Sequence, residues 1–111
     1  MRLTTFLILG VLAVAATGAA QGQQTFTGTI TDSMCANANH APMRMGPTDA
    51  ECTTACVDAH DADYVLYDGT SAYVLSDKKT AERFAAKRVT VTGTLDAKTK
   101  RIQVDSIAET K

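Results

Sequence analysis

Residues 88–108, RVTVTGTLDAKTKRIQVDSIA, decide how the rest of the chain is read. In residues 88–95, Val89, Val91, Gly93 and Leu95 alternate with threonines, so one face is apolar and the other polar. That period of two belongs to a half-buried strand. Residues 101–108 form a second strand, and the polar run Asp96 to Lys100 turns the chain between them. The alternation fails at Ser106-Ile107, which predicts a bulge there. Working back along the chain, Asp77 caps a helix predicted over 78–87, whose Ala81, Phe84 and Ala85 form a single stripe at i, i+3 and i+4. Before it stand two more strands, DYVLYD at 63–68 and SAYVLS at 71–76, joined by the hairpin pair Asp68-Gly69. The first strand is the threonine-rich alternation at 25–31. The reading is one antiparallel barrel in which the 78–87 helix alone packs on the core.

Five strands with a helix between the third and fourth follow the order of the OB-fold barrel. The chain is therefore mainly β, a small five-stranded OB-fold-like barrel with a helical, Cys- and His-bearing insert (33–62) between strands one and two. Gly28 and Gly93 mark bend points of such a barrel. Residues 88–107 resemble the last hairpin of small exported bacterial OB-fold proteins, with their V-x-V-x-G-x-hydrophobic-D and I-x-V-x-S/R-I strands. More widely, Gly28 to Cys35 (GTITDSMC), Cys52 to Val57 (CTTACV), Tyr64 to Leu66 and Val89 to Gly93 resemble a family of short exported bacterial proteins with a domain of unknown function. The resemblance covers most of the chain after residue 20 and implies fold and export. It implies no activity. A histidine between the first two cysteines is usual in that family, as His40 is here, whereas His60 lies outside the pattern.

The first 20 residues read as a secretory signal peptide: basic Met1-Arg2, an uncharged apolar run from Leu3 to Thr17, then small Gly18-Ala19-Ala20. The apolar run is short for spanning about 30 Å of hydrocarbon, and no cysteine follows that would take a lipid. The expected mature protein, 21–111, is a single domain, periplasmic or secreted, with no membrane anchor after cleavage. The formal charge is −1. It becomes −2 without Arg2, which does not favour a nucleic-acid partner. The acidic residues crowd into 49–68 and the basic ones into 78–101, a split that solvated faces explain.

All three cysteines and both histidines lie between Cys35 and His60, together with three of the four methionines if Met34 is counted. Thr48 and Glu51 read as a capping box opening a helix in the insert. Cys52 and Cys56 then stand one turn apart on one face, close enough to share an ion. With Cys35 and His40 they form a Cys3His set, split by a loop that contains Gly46 and Pro47. Three thiolates and an imidazole complete a closed tetrahedral zinc site, which is structural or storage-like rather than catalytic. The thioethers of Met34, Met43 and Met45 point instead to Cu(I). An exported OB-fold with His and Met ligands is similar to periplasmic copper chaperones, although those carry their ligands on barrel strands. Met43 and Met45 also read as surface or packing residues, and His60 as an exposed residue at the helix end, about 12 Å along the axis from Cys52.

Two other readings stay open. In an oxidising compartment Cys35 can pair with Cys52 or Cys56, giving a disulfide-stabilised binding module that engages an envelope protein and holds no cofactor. Such a pairing leaves one thiol over. A C-x3-C redox centre is the third reading. No nucleophile elbow, phosphate loop or H-E-x-x-H is present, so the chain is read as a non-enzyme that binds zinc or Cu(I) through Cys35, His40, Cys52 and Cys56.

Overall fold

In the computed structural model, which describes residues 22–110, the alternating stretches are strands β1 (Gln24–Asp32), β2 (Tyr64–Tyr67), β3 (Ala72–Leu75), β4 (Arg88–Asp96) and β5 (Arg101–Glu109). Helix α1 (Asp49–His60) lies between β1 and β2, and helix α2 (Lys78–Arg83) between β3 and β4. The expected signal peptide at 1–20 lies outside the described residues.

The strands close into a barrel in the order β1-β2-β3-β5-β4, with β4 returning to β1. This is the OB-like arrangement. The barrel is not wholly antiparallel, because β3 and β5 run parallel where Val74 faces Arg101 and Leu75 faces Ile102. A short turn forces antiparallel neighbours only between consecutive strands. The β3–β5 pair is separated by α2 and β4, so its direction is set by closure. Ile30, Leu66, Leu75, Val89, Val91 and Ile102 fill the interior, with Ala81 and Ala85 closing one side.

Three local departures from the alternation have identifiable causes. First, the bulge falls one residue earlier than predicted: Thr92 pairs with Ser106 but Gly93 with Val104, leaving Asp105 as the extra residue. Gly93 lies so close to β5 that a Cβ would overlap the Gln103 carbonyl oxygen, and Gly28 meets the Tyr67 carbonyl in the same way. Second, α2 stops at Arg83 rather than at 87. The backbone beyond it is claimed by β1, since Ala86 N–H donates to Ile30 O at 2.8 Å and Ile30 N–H to Lys87 O at 3.1 Å. Ala86 takes φ 64° to make that turn. Third, α2 is not the only helix on the core. Ala50 and Val57 of α1 pack against it too, so the insert lies on the barrel rather than projecting from it.

The insert is drawn together at its base. Ser33 N–H donates to Asp63 O at 2.9 Å, and Asp63 N–H returns to Ser33 Oγ at 2.9 Å. Burial along β1 consequently stops alternating: Ile30, Thr31 and Asp32 are all fully buried. Ile30 faces the interior, and Thr31, on the other face of the strand, is covered by the insert.

Gly28→Ala and Gly93→Ala should each destabilise the fold by about 1–3 kcal/mol, the usual cost of forcing atoms into a packed site. Lys98→Ala in the exposed β4–β5 turn should stay within about 0.5 kcal/mol of the parent. Urea unfolding midpoints compare the three, and a Gly93→Ala protein as stable as Lys98→Ala would contradict the close approach.

Candidate metal centre

Cys35 is placed by the end of β1. Asp32 terminates the strand and caps a single 3-10 turn, Ser33–Cys35, its Oδ1 accepting the N–H groups of Met34 at 3.0 Å and Cys35 at 2.9 Å. Two asparagine turns carry the chain onward: Asn37 Oδ1 accepts Asn39 N–H at 3.0 Å, and Asn39 Oδ1 accepts Ala41 N–H at 3.2 Å. They bring His40 back over β1, where it is 3% exposed. Thr48 opens α1 by accepting Glu51 N–H at 3.1 Å, and the acidic residues Asp49 and Glu51 sit in its first turn. The helix dipole favours them there, and Asp49 pairs at the surface with Arg44 at 2.8 Å. Cys52, Thr53 and Cys56 face inward and are fully buried.

The result is one buried group. The ligand atoms of Cys35, His40 and Cys52 all lie within 4.8 Å of one another. Two thiols and an imidazole so placed can hold a metal ion. The Cys52 sulfur also accepts Met45 N–H at 3.3 Å and lies 3.4 Å from the Met43 carbonyl. The first contact favours a thiolate and the second a thiol, so the loop can accommodate either state. Cys56, the fourth residue of the expected Cys3His set, stands outside the 4.8 Å group, although it shares a small buried cluster with Cys52 and Ala62. None of the three cysteines is joined in a disulfide, and each is a buried thiol. His60 is exposed at the end of α1. Met34, Met43 and Met45 are exposed as well, their backbones framing the group while their side chains face outward.

Two participants escaped the sequence reading as members of this group, Thr31 and Asp32, and a third buried polar residue, Thr53, lies next to Cys52 in α1. All are fully buried, and among the described residues no hydrogen-bond partner reaches Asp32 Oδ2, His40 Nδ1 or Thr53 Oγ1. Asp32 Oδ2 and His40 Nδ1 are 3.9 Å apart. Buried polar groups are nearly always paired, so the two orphans Asp32 Oδ2 and His40 Nδ1, side by side, are informative. The only sequence sign was Asp32 three residues before Cys35, the spacing of a capping aspartate. Nothing in the pattern of an alternating strand distinguishes Thr31 from the other threonines of β1.

Burial raises the thiol pKa values of Cys56 and Cys35. The Cys56 thiol is pushed up to about 12, first by burial, then by the negative charge of Asp32 and by Cys52 and Cys35. Cys35 is raised by burial and by Asp32 and Cys52 in turn. Among the described residues, no helix is long and apolar enough to cross a membrane.

The Cys56 shift fixes a pH dependence. With an ordinary value of 9.0 unfolded and about 12 folded, the thiol contributes its full stabilisation below pH 9. As pH rises from 9 towards 12 the unfolded chain sheds the proton first, so stability is lost. Tyr64, raised from 10.0 to about 12 chiefly by burial, acts in the same direction. The urea midpoint of reduced, chelator-treated protein should fall between pH 8.5 and pH 10.5 (a free thiol being half ionised at about pH 9), and Cys56→Ser should lessen the fall. Equal falls in both proteins would contradict this account of Cys56.

No family model, curated protein or solved structure matches the chain, so the functional reading rests on the barrel and on this buried group.

Proposed function

We propose that the protein binds a soft or borderline metal ion, zinc or Cu(I), in the buried group formed by Cys35, His40 and Cys52, with Cys56 supplying the fourth donor. The observation that carries this reading is the meeting of two buried thiols and a buried imidazole whose Nδ1 has no partner among the described residues. An unpaired buried polar atom is costly, and an ion at this place would give it one. The two ligand halves come from separate segments, the turn after β1 and helix α1, so the ion would also tie the insert to the barrel. That is the work of a structural or carrier site with no open position for substrate. Cys56 lies one turn from Cys52 on the same helix and shares its buried cluster, which makes it the nearest further thiol.

We further propose that the chain is exported, a reading supported by the apolar N-terminal segment and by the resemblance to short exported bacterial proteins. Binding then has to compete with oxidation of the thiols outside the cytoplasm, and a bound ion protects them by occupying the sulfurs.

Titration of reduced protein with zinc and with Cu(I) tests the ligand set. Cys35→Ser, His40→Ala and Cys52→Ser should each weaken binding by more than the roughly 10–100-fold typical of an outer-shell loss. Cys56→Ser should weaken it less than these three, and His60→Ala should leave it unchanged. Affinity should fall on acidification, because thiolates and a neutral imidazole must be freed of protons. One thiol per chain under denaturing conditions, with no metal bound, would overturn the reading in favour of a disulfide-stabilised module. Loss of the ion in His60→Ala would overturn the placement.

A further inference from the structure

We infer that Thr31 is the positioning residue of this centre: it holds the Nε2–H of His40 and thereby presents Nδ1 as the atom that binds the ion. This rests on the metal-binding reading above and goes beyond it by assigning the ligand atom and the residue that selects it.

The assignment follows from counting protons. A threonine hydroxyl has one hydrogen to give and two lone pairs to offer. Thr31 Oγ1 donates its hydrogen to the Cys35 carbonyl at 2.8 Å, a short bond in a fully buried place. Its remaining capacity is to accept. The nearest polar neighbour is His40 Nε2 at 3.4 Å, which therefore carries the hydrogen when the ring is neutral. The other ring nitrogen, Nδ1, is then a bare lone pair. It is this nitrogen that has no hydrogen-bond partner among the described residues, and the orphaned Oδ2 of Asp32 lies 3.9 Å from it. A cation bound at Nδ1 would lie near that carboxylate, whose negative charge favours it. With Nδ1 bound to an ion, the relay His40 Nε2–H to Thr31 Oγ1–H to Cys35 carbonyl runs in one direction and ties two ligand residues to the same strand.

Histidines that bind metals are oriented in this way by whatever holds their second nitrogen. Here the holder is a neutral hydroxyl on the outer face of β1, reachable only because the insert covers that face. The place of Thr31 is therefore not exchangeable with that of the other strand threonines, which lack both contacts.

The test combines a shape-preserving variant, a rescue and a spectroscopic reading. Thr31→Val keeps the branched side chain and removes the hydroxyl, while Thr31→Ser keeps the hydroxyl. Zinc affinity should fall about 10–100-fold in Thr31→Val and return to within about threefold of the parent in Thr31→Ser, since a serine hydroxyl has the same donor and acceptors. Equal affinities in parent and Thr31→Val would overturn the inference, and so would equal losses in both variants. Nitrogen-15 spectra of the His40 ring need no variant. At a pH where the ring is neutral, metal-free parent protein should show the Nε2–H form, and cadmium-113 loading should produce coupling to Nδ1. Coupling to Nε2, or an Nδ1–H ring before loading, would overturn the inference while leaving the metal site intact. Parent protein that takes up neither zinc nor cadmium overturns the function proposed above, and the tautomer of the metal-free ring still decides the role of Thr31.

Discussion

The carboxylate of Asp32 joins the two halves of the molecule. It is fully buried at the last position of β1, and its Oδ1 takes two backbone N–H groups at the start of the insert. A buried charge is tolerable only when hydrogen bonds replace its water, so the chain has to turn where those two donors can reach it. That turn sets Cys35 beside the strand. The Ser33–Asp63 pair of hydrogen bonds then returns the chain to β2. Between these constraints the 30-odd residues of the insert have little choice but to lie over the outer face of β1. The burial of Thr31, His40, Cys52 and Cys56 follows from that placement.

A small barrel of this kind has one modest interior, and covering an outer face adds a second. The main cluster is aliphatic, built on Ile30, Leu66, Val89 and Ile102. The second is made of Cys52, Cys56 and Ala62, with Val57 packed against both. Cysteine packs as a small hydrophobe, so this second cluster stands without an ion. Its polar members are the anomaly. Asp32 Oδ2 and His40 Nδ1 are orphaned 3.9 Å apart, and His40 groups with Cys52 of that cluster; an apolar mini-core has no use for them. The combination of packable thiols with unpaired polar atoms is what favours a binding site over a merely closed loop.

Much of this was legible in the residues. Alternation located β1, β4 and β5, because each has one face on the interior and one towards water or the insert, while β2 and β3 were found as short apolar runs joined by Asp68-Gly69. Thr48 identified the start of α1 through its side-chain oxygen, and donor type and spacing grouped Cys35, His40, Cys52 and Cys56, of which the structure brings Cys35, His40 and Cys52 within 4.8 Å of one another. What escaped depended on backbone contacts between distant segments. The stripe Ala81, Phe84 and Ala85 is helical in spacing, yet the helix ends at Arg83 because Ile30 claims the backbone of Ala86 and Lys87. The bulge at Asp105 depends on how near Gly93 lets β5 approach. Thr31 looked like any strand threonine, since its partners are reached only once the insert has folded over it.

The central claim is that sulfur and imidazole surround one ion, and X-ray absorption at the zinc edge of the loaded, reduced protein tests it most directly. The account predicts sulfur scatterers near 2.3 Å together with a histidine nitrogen near 2.0–2.1 Å, roughly the distances usual for zinc with Cys and His ligands. A shell made only of oxygen and nitrogen would contradict it, because the ion would then sit on surface carboxylates or on His60 and not between Cys35, His40 and Cys52.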